Sequence, residues 1–210
     1  LLGIDRPIIQ DCRTVDHQDW LQVCYQQLAP HSIANYYIFG SHDKGIRVPQ
    51  DLIPLQINAA TAFGSGEHQT TNGCLTAISD LSQQHQFQTI LDMGCGSGIL
   101  AIAAAKTWPT ATIIAADNDA EAVRVTAYNN HLNKVNIETV QSEGFINPTI
   151  CQHSPYDLII ANILAKPLCS MAKDICQTLK PEGFTILSGL LERQQQEVLN
   201  SYQAQGATLL

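Results

Sequence analysis

From residue 88 onward, short apolar runs alternate with stretches whose apolar residues recur at helical spacing. Thr89-Ile-Leu-Asp-Met93 is a short run closed by glycines, the pattern of a strand buried on both faces. Ile99 to Lys106 is apolar and alanine-rich, a strong helix former. Thr112 to Ala116 repeats the strand pattern and ends at Asp117. Asp119 then caps a helix whose apolar positions are Ala122, Val123, Ala127 and Leu132. Asn136 to Val140 is a weaker strand and Asp157 to Ala161 a stronger one, followed by a helix from Lys166 to Leu179. Lys180-Pro-Glu-Gly183 reads as a turn, Phe184 to Leu187 as a strand and Gln194 to Gln205 as a closing polar helix.

Strands alternating with helices predict an α/β fold whose mostly parallel sheet is covered on both faces. Such sheets bind ligands at the carboxyl ends of their strands. That places Gly94, Asp117 and Asn162, each just past a strand, along one rim. Upstream the pattern changes. Residues 1–60 are richer in polar residues and carry Pro7, Pro30, Pro49 and Pro54. A helix is expected around Trp20, Leu21, Cys24 and Leu28, with short strands at Tyr36 to Phe39 and Leu55 to Ile57. A further helix follows Phe63-Gly-Ser-Gly66, with Cys74, Ala77, Ile78 and Leu81 at i, i+3, i+4, i+7 spacing.

Composition narrows the class without naming a function. With 210 residues, 45% of them apolar, the chain can bury one sizeable core. No run of 18 apolar residues marks a membrane span, and the first ten residues lack the basic and apolar regions of a signal peptide. The chain opens on Leu1 rather than Met, as a piece of a longer protein would. Seven scattered cysteines form no C-x-x-C pair, and no histidine cluster has ligand spacing, so they read as reduced apolar fillers and no metal is expected. A net charge of −8 argues against a general nucleic-acid surface. These features suit a cytoplasmic monomer.

The chemistry concentrates in Asp92-Met-Gly-Cys-Gly-Ser-Gly98, a strand-to-helix turn with glycines at 94, 96 and 98. Glycines permit a tight turn and close ligand approach. The G-x-G-x-G spacing departs from the dinucleotide fingerprint, which disfavours a nicotinamide oxidoreductase. An acid at Asp92, two residues before the first glycine, suits a cationic amino-acid moiety better than a diphosphate, and so points to S-adenosylmethionine. Asp117, one strand over, can accept both hydroxyls of a ribose. Asn162 is a candidate contact to the reacting end or a turn asparagine with local hydrogen bonds; with Ile163 and Leu164 after it, it lacks the Pro-Pro-aromatic continuation of enzymes that methylate planar nitrogens. Thr70 and Thr71 either cap their helix or offer hydroxyls to a ligand, and His68 is either a base or structural.

Taken together, FGSGEHQTT, LDMGCGSGILAIAAAK, ADND and ANILAKPL resemble the ribosomal protein L-eleven methyltransferase family. Tyr37-Ile-Phe-Gly-Ser-His-Asp43 is similar to the segment preceding that family's catalytic domain. The resemblance implies a three-layer, Rossmann-like class I methyltransferase fold. It implies methyl transfer from S-adenosylmethionine to lysine ε-amino groups and an N-terminal α-amino group of a ribosomal large-subunit protein. It carries cofactor contacts onto Thr71, Gly94, Asp117 and Asn162, beside Asp92, Gly96 and Gly98 of the turn. Asn162 is also the expected amine-positioning group. Ser65 and Gln69 depart from the family's F-G-T-G-x-H-P-T-T. Residues 1–60 have room only for a linker and the remnant of an N-terminal recognition region, leaving 61–210 as the catalytic domain. Methylation of another protein lysine and non-catalytic cofactor binding are the competing readings.

Overall fold

The computed structural model describes residues 29–41, 43, 45–58 and 69–210. The helix expected around Trp20 to Leu28 and the Phe63 to His68 segment lie outside these residues. A three-stranded sheet comes first, formed by β1 (His31–Ile33), β2 (Tyr36–Phe39) and β3 (Ile53–Gln56). β1 pairs antiparallel with β2, and β2 parallel with β3.

The rest is a repeating α/β unit. Helix α1 (Gln69–Ser82) precedes β4 (Thr89–Met93), α2 (Ile99–Thr107), β5 (Thr112–Asp117), α3 (Ala120–Asn133) and β6 (Glu138–Gln141). Then come α4 (Pro148–His153), β7 (Tyr156–Asn162), α5 (Ala165–Thr178), β8 (Leu179–Ser188) and α6 (Gln195–Gln203). The strand order is β6-β5-β4-β7-β8, every pairing parallel. The chain therefore runs outward from β4 to β6, then crosses back to the other side of β4. Residues just past β4 sit at that switch point, where open α/β sheets bind ligands.

Pleat alternation sorts each strand between two apolar layers. Ile90, Ile113, Leu158 and Ile160 face one layer with α1, α2 and the N-terminal strands; Leu91, Ile114, Ile159 and Ala161 face the other with α5 and α6. Helix α2 is buried from Ile99 through Ala104. A helix apolar on every side belongs in the interior, here between the main sheet and the N-terminal elements. Tyr36, Ile38, Leu55 and Ile57 join that same layer. The Tyr36 hydroxyl bonds the Thr107 hydroxyl at 2.6 Å, and the Lys106 ammonium donates to the Pro54 carbonyl. At the amino ends of the strands, Asp157 Oδ2 accepts from the backbone N–H of Gln88 and Thr89, both at 2.9 Å, and Oδ1 meets Lys180 Nζ at 2.8 Å. One carboxylate thus ties the starts of β4, β7 and β8.

Strand β1 was not expected, β3 starts two residues before the expected Leu55, and the structure departs further from the sequence pattern in β8, α4 and α3. Lys180 to Gly183 is not a turn between elements but part of β8: the pairing jumps from Tyr156↔Leu179 to Leu158↔Phe184 and Glu182 takes φ +62°, so the extra residues bulge out within one strand. Helix α4 was not expected; Asn147 starts it by accepting from the Thr149 N–H at 2.9 Å, and Pro148 occupies its first turn. In α3 the cap is Asp119 as expected, accepting from Glu121 N–H at 2.9 Å, but the buried face is different. It consists of Ala122, Val125, Thr126, Asn129, Asn130 and Asn133, whereas Ala127 is exposed. A stripe this polar stays inside only where its groups are matched.

Candidate functional site

The Asp92 to Gly98 turn leaves β4 and enters α2. Gly94, Gly96 and Gly98 take φ of +78°, +54° and +80°, which only glycine adopts without strain. What fills the space of the missing Cβ at Gly94 and at Gly98 is protein. A Cβ on Gly94 would lie 2.3 Å from Ile163 Cγ2, and one on Gly98 2.7 Å from Thr126 Cγ2. The Cβ side of Gly98 therefore faces α3. The amides of Gly94 and Cys95 both donate to the Ala116 carbonyl, at 2.7 and 3.0 Å, which holds the turn against the end of β5.

Asp92 is 1% exposed. Its Oδ2 accepts the Ala101 N–H at 3.0 Å, satisfying one of the orphan donors at the start of α2. Its Oδ1 is buried with no partner among the described residues. Burial, opposed by the Ala101 bond and reinforced by the charge of Asp117, pushes its carboxyl up to about 7. Asp117, at the end of β5, accepts the Gly96 N–H on Oδ2 and the Asp119 N–H on Oδ1, both at 3.0 Å. It is not the helix cap, and each oxygen retains capacity for a further donor.

Across the switch point, Asn162 ends β7. Its Nδ2 donates to Thr71 Oγ1 at 3.3 Å, and its Oδ1 is a second buried oxygen with no partner among the described residues. Thr71 is fully buried within the first turn of α1, so it supports Asn162 rather than capping the helix. Two residues missed by the sequence reading complete this side. Ser188 Oγ donates to the Thr70 carbonyl at 3.3 Å, and Gly189 (φ +85°) brings its backbone so close that a Cβ would lie 2.4 Å from the Ile163 carbonyl oxygen. The serine-glycine pair closing β8 was the available signal. Beyond Asp117 opens a cavity of about 560 Å³ lined by Asn118, Gln141, Ser142, Glu143, Ile146 and Asn147. Ile146 is 77% exposed there, the one apolar side chain of that lining.

The structure thus gathers Thr71, Asp92, Gly94, Gly96, Gly98, Asp117 and Asn162 at the carboxyl ends of β4, β5 and β7. Their unmatched groups are acceptors: a buried carboxylate oxygen and a buried amide oxygen. A cationic ligand bearing donors fits this set; an anionic phosphate does not.

The model of the ribosomal protein L11 methyltransferase family matches residues 5–209. The chain belongs to that family. It is 40% identical over 206 residues to the ribosomal protein L11 methyltransferase of Caulobacter sp. (strain K31), covering 98% of this chain and 70% of the relative. The Brucella suis protein of the same name is 42% identical over 204 residues, covering 96% and 71%. For the Rhodopseudomonas palustris (strain BisB5) relative the values are 40% over 195 residues, 92% and 65%. The chain thus spans about two thirds of its relatives' length. The crystal structure of a ribosomal protein L11 methylase from Lactobacillus delbrueckii subsp. bulgaricus superposes with a TM-score of 0.72 at 27% identity, covering 81% of this chain and 84% of that one. A precorrin-6y C5,15-methyltransferase from Geobacter metallireducens GS-15 shares the fold alone, with a TM-score of 0.56 at 15% identity. The fold is therefore that of the class I methyltransferases, and S-adenosylmethionine is the methyl donor.

Proposed function

We propose that this protein transfers methyl groups from S-adenosylmethionine to lysine ε-amino groups and the N-terminal α-amino group of ribosomal protein L11 in the cytoplasm. The observation that carries the reading is the buried, unpartnered Oδ1 of Asn162, fixed by Thr71 at the end of β7. When bound, the cofactor supplies an electrophilic methyl group on a positively charged sulfur. Asp92 Oδ1 would accept from its α-ammonium group and the Asp117 carboxylate from its ribose hydroxyls. The cavity between the ends of β5 and β6, with the exposed face of Ile146, suits its adenine ring.

The acceptor must present a lone pair. A free lysine holds its proton up to a pKa of about 10.4, and burial beside a cation lowers that value. Asn162 Oδ1 then accepts one N–H of the neutral amine and aims its lone pair into the site, a positioning role that needs no proton transfer to the side chain. Exposed Leu164 and Leu191 flank this end, suited to the methylene stem of a lysine. Residues 61–210 are assigned the catalytic domain, with residues 1–60 as the linker and trailing edge of the recognition region.

The test is incubation of the purified protein with labelled S-adenosylmethionine and unmethylated ribosomal protein L11, with modified amines mapped by mass spectrometry. Label on amino groups of that protein, lost in Asn162→Ala, is expected. Cofactor binding without transfer, or transfer only to another protein, would overturn the reading.

A further inference from the structure

Two asparagines of the buried polar stripe of α3 are satisfied in a particular way. Asn129 Oδ1 accepts the Asn58 N–H at 3.1 Å and its Nδ2 donates to the Asn58 carbonyl at 3.2 Å. One turn later Asn133 does the same to Gln56: Oδ1 accepts its N–H at 3.0 Å and Nδ2 donates to its carbonyl at 2.7 Å. Each side-chain amide grips both main-chain groups of one residue, as a neighbouring strand would. The spacing makes this possible. Four helical residues advance about 6 Å and two extended residues about 6.6 Å, so asparagines at i and i+4 meet alternate residues of a chain running alongside.

The two asparagines are not equivalent. Asn129 Nδ2 also donates to the Ser97 carbonyl at 2.8 Å, inside the glycine turn. Thr126, one helical turn earlier, donates from Oγ1 to the Gly96 carbonyl at 3.0 Å, with its methyl packed where Gly98 lacks a Cβ. Both side chains are fully buried. Consecutive carbonyls of the turn are therefore pinned to α3. With them held, the Gly96 N–H is directed at Asp117 Oδ2. Asn58, in turn, is the last described residue before the connection to α1, whose Thr71 holds Asn162.

We propose that Thr126 and Asn129 are positioning residues of the cofactor site. They lock the glycine turn in the orientation that presents Asp117, while Asn133 bonds the end of β3 and the Asn129 carbonyl of its own helix and does not reach the turn. This inference rests on the cofactor assignment made above, and Asn133 supplies its internal control. Asn129→Leu and Asn133→Leu each remove an amide with three hydrogen bonds from the same helix face. Thr126→Val is nearly isosteric, so it keeps a folded variant in hand should Asn129→Leu fail to fold.

Calorimetric titration with S-adenosylmethionine gives the dissociation constant of each, and denaturant unfolding without ligand gives stability. Asn133→Leu is expected to lower stability yet leave the dissociation constant within twofold. Asn129→Leu and Thr126→Val should raise it tenfold or more, and raise the KM for the cofactor more than they lower kcat. Affinity within twofold of the parent in Thr126→Val, or in a folded Asn129→Leu, overturns the proposal. So does an equal loss in Asn133→Leu. A parent protein that does not bind S-adenosylmethionine overturns the functional reading instead.

Discussion

Replacing Asp92 with asparagine should make the ligand-free protein more stable at alkaline pH while weakening its grip on the cofactor. Burial, with the Ala101 N–H opposing and the Asp117 charge adding, moves the Asp92 carboxyl from 3.8 to about 7. A gap of about three pH units, at 1.36 kcal/mol each, is about 4 kcal/mol. The sign follows from proton linkage. Below the unfolded-chain value of about 3.9 both states are protonated and the group is neutral in its effect; between there and 7 the unfolded chain gives up the proton first. Stability conferred by the protonated form is thus lost as pH rises, and above 7 the full penalty stands. Asparagine keeps an oxygen for the Ala101 N–H and cannot ionise. Asp92→Asn should therefore exceed the parent by up to about 4 kcal/mol at pH 8, a large share of the 5–15 kcal/mol typical of a domain, with the gap closing towards pH 4. Ligand binding runs the opposite way. A cationic amino group favours the ionised carboxylate, so parent affinity should climb with pH to about 7 and level off, whereas the variant binds weakly without that slope. Urea unfolding of both proteins at pH 5 and pH 8, with calorimetry at the same values, reads all of this. A variant less stable than the parent at pH 8, or a gap unchanged between the two pH values, would refute the reasoning.

Three further substitutions probe the same frame. Gly94→Ala sets a Cβ against Ile163 Cγ2 at φ +78°, and should cost about 2–4 kcal/mol in thermal unfolding and at least tenfold in cofactor affinity; Gly94→Ala with Ile163→Ala should recover the steric share. Asp117→Asn removes a charged acceptor, and a 10–100-fold rise in the cofactor dissociation constant is expected by calorimetry. In Asp157, burial works against the charge but Lys180 and the Gln88 and Thr89 donors outweigh it, holding the carboxyl below its ordinary range. Its stabilisation is present above the unfolded value of about 3.9 and lost as pH falls through the folded one, so Asp157→Ala should cost about 2 kcal/mol at pH 7 and progressively less in acid.

Much of the fold was legible because strong local signals agreed. β4 runs from Thr89 to Met93 as expected, β5 from Thr112 to Asp117, and Asp119 caps α3; here apolar runs, glycines and an acid at a junction all point one way. The β8 bulge was misread because Lys-Pro-Glu-Gly carries turn chemistry, which a parallel partner strand absorbs without ending the element. The α3 face was misread because periodicity counts apolar residues, whereas that helix buries amides matched to another segment's peptide groups.

The sequence alone singled out the glycine turn and the acids and amide that stand near it, because residue type at a strand end marks them. Tertiary structure decided what the residues touch. It turned Gly98 towards Thr126 and set the Gly94 gap against Ile163. It made Thr71 the support of Asn162 from 91 positions away. It also gave Asn129 and Asn133, identical in type and one helical turn apart, different duties. That distinction depends on a carbonyl 32 positions back in the chain, a proximity that only packing creates.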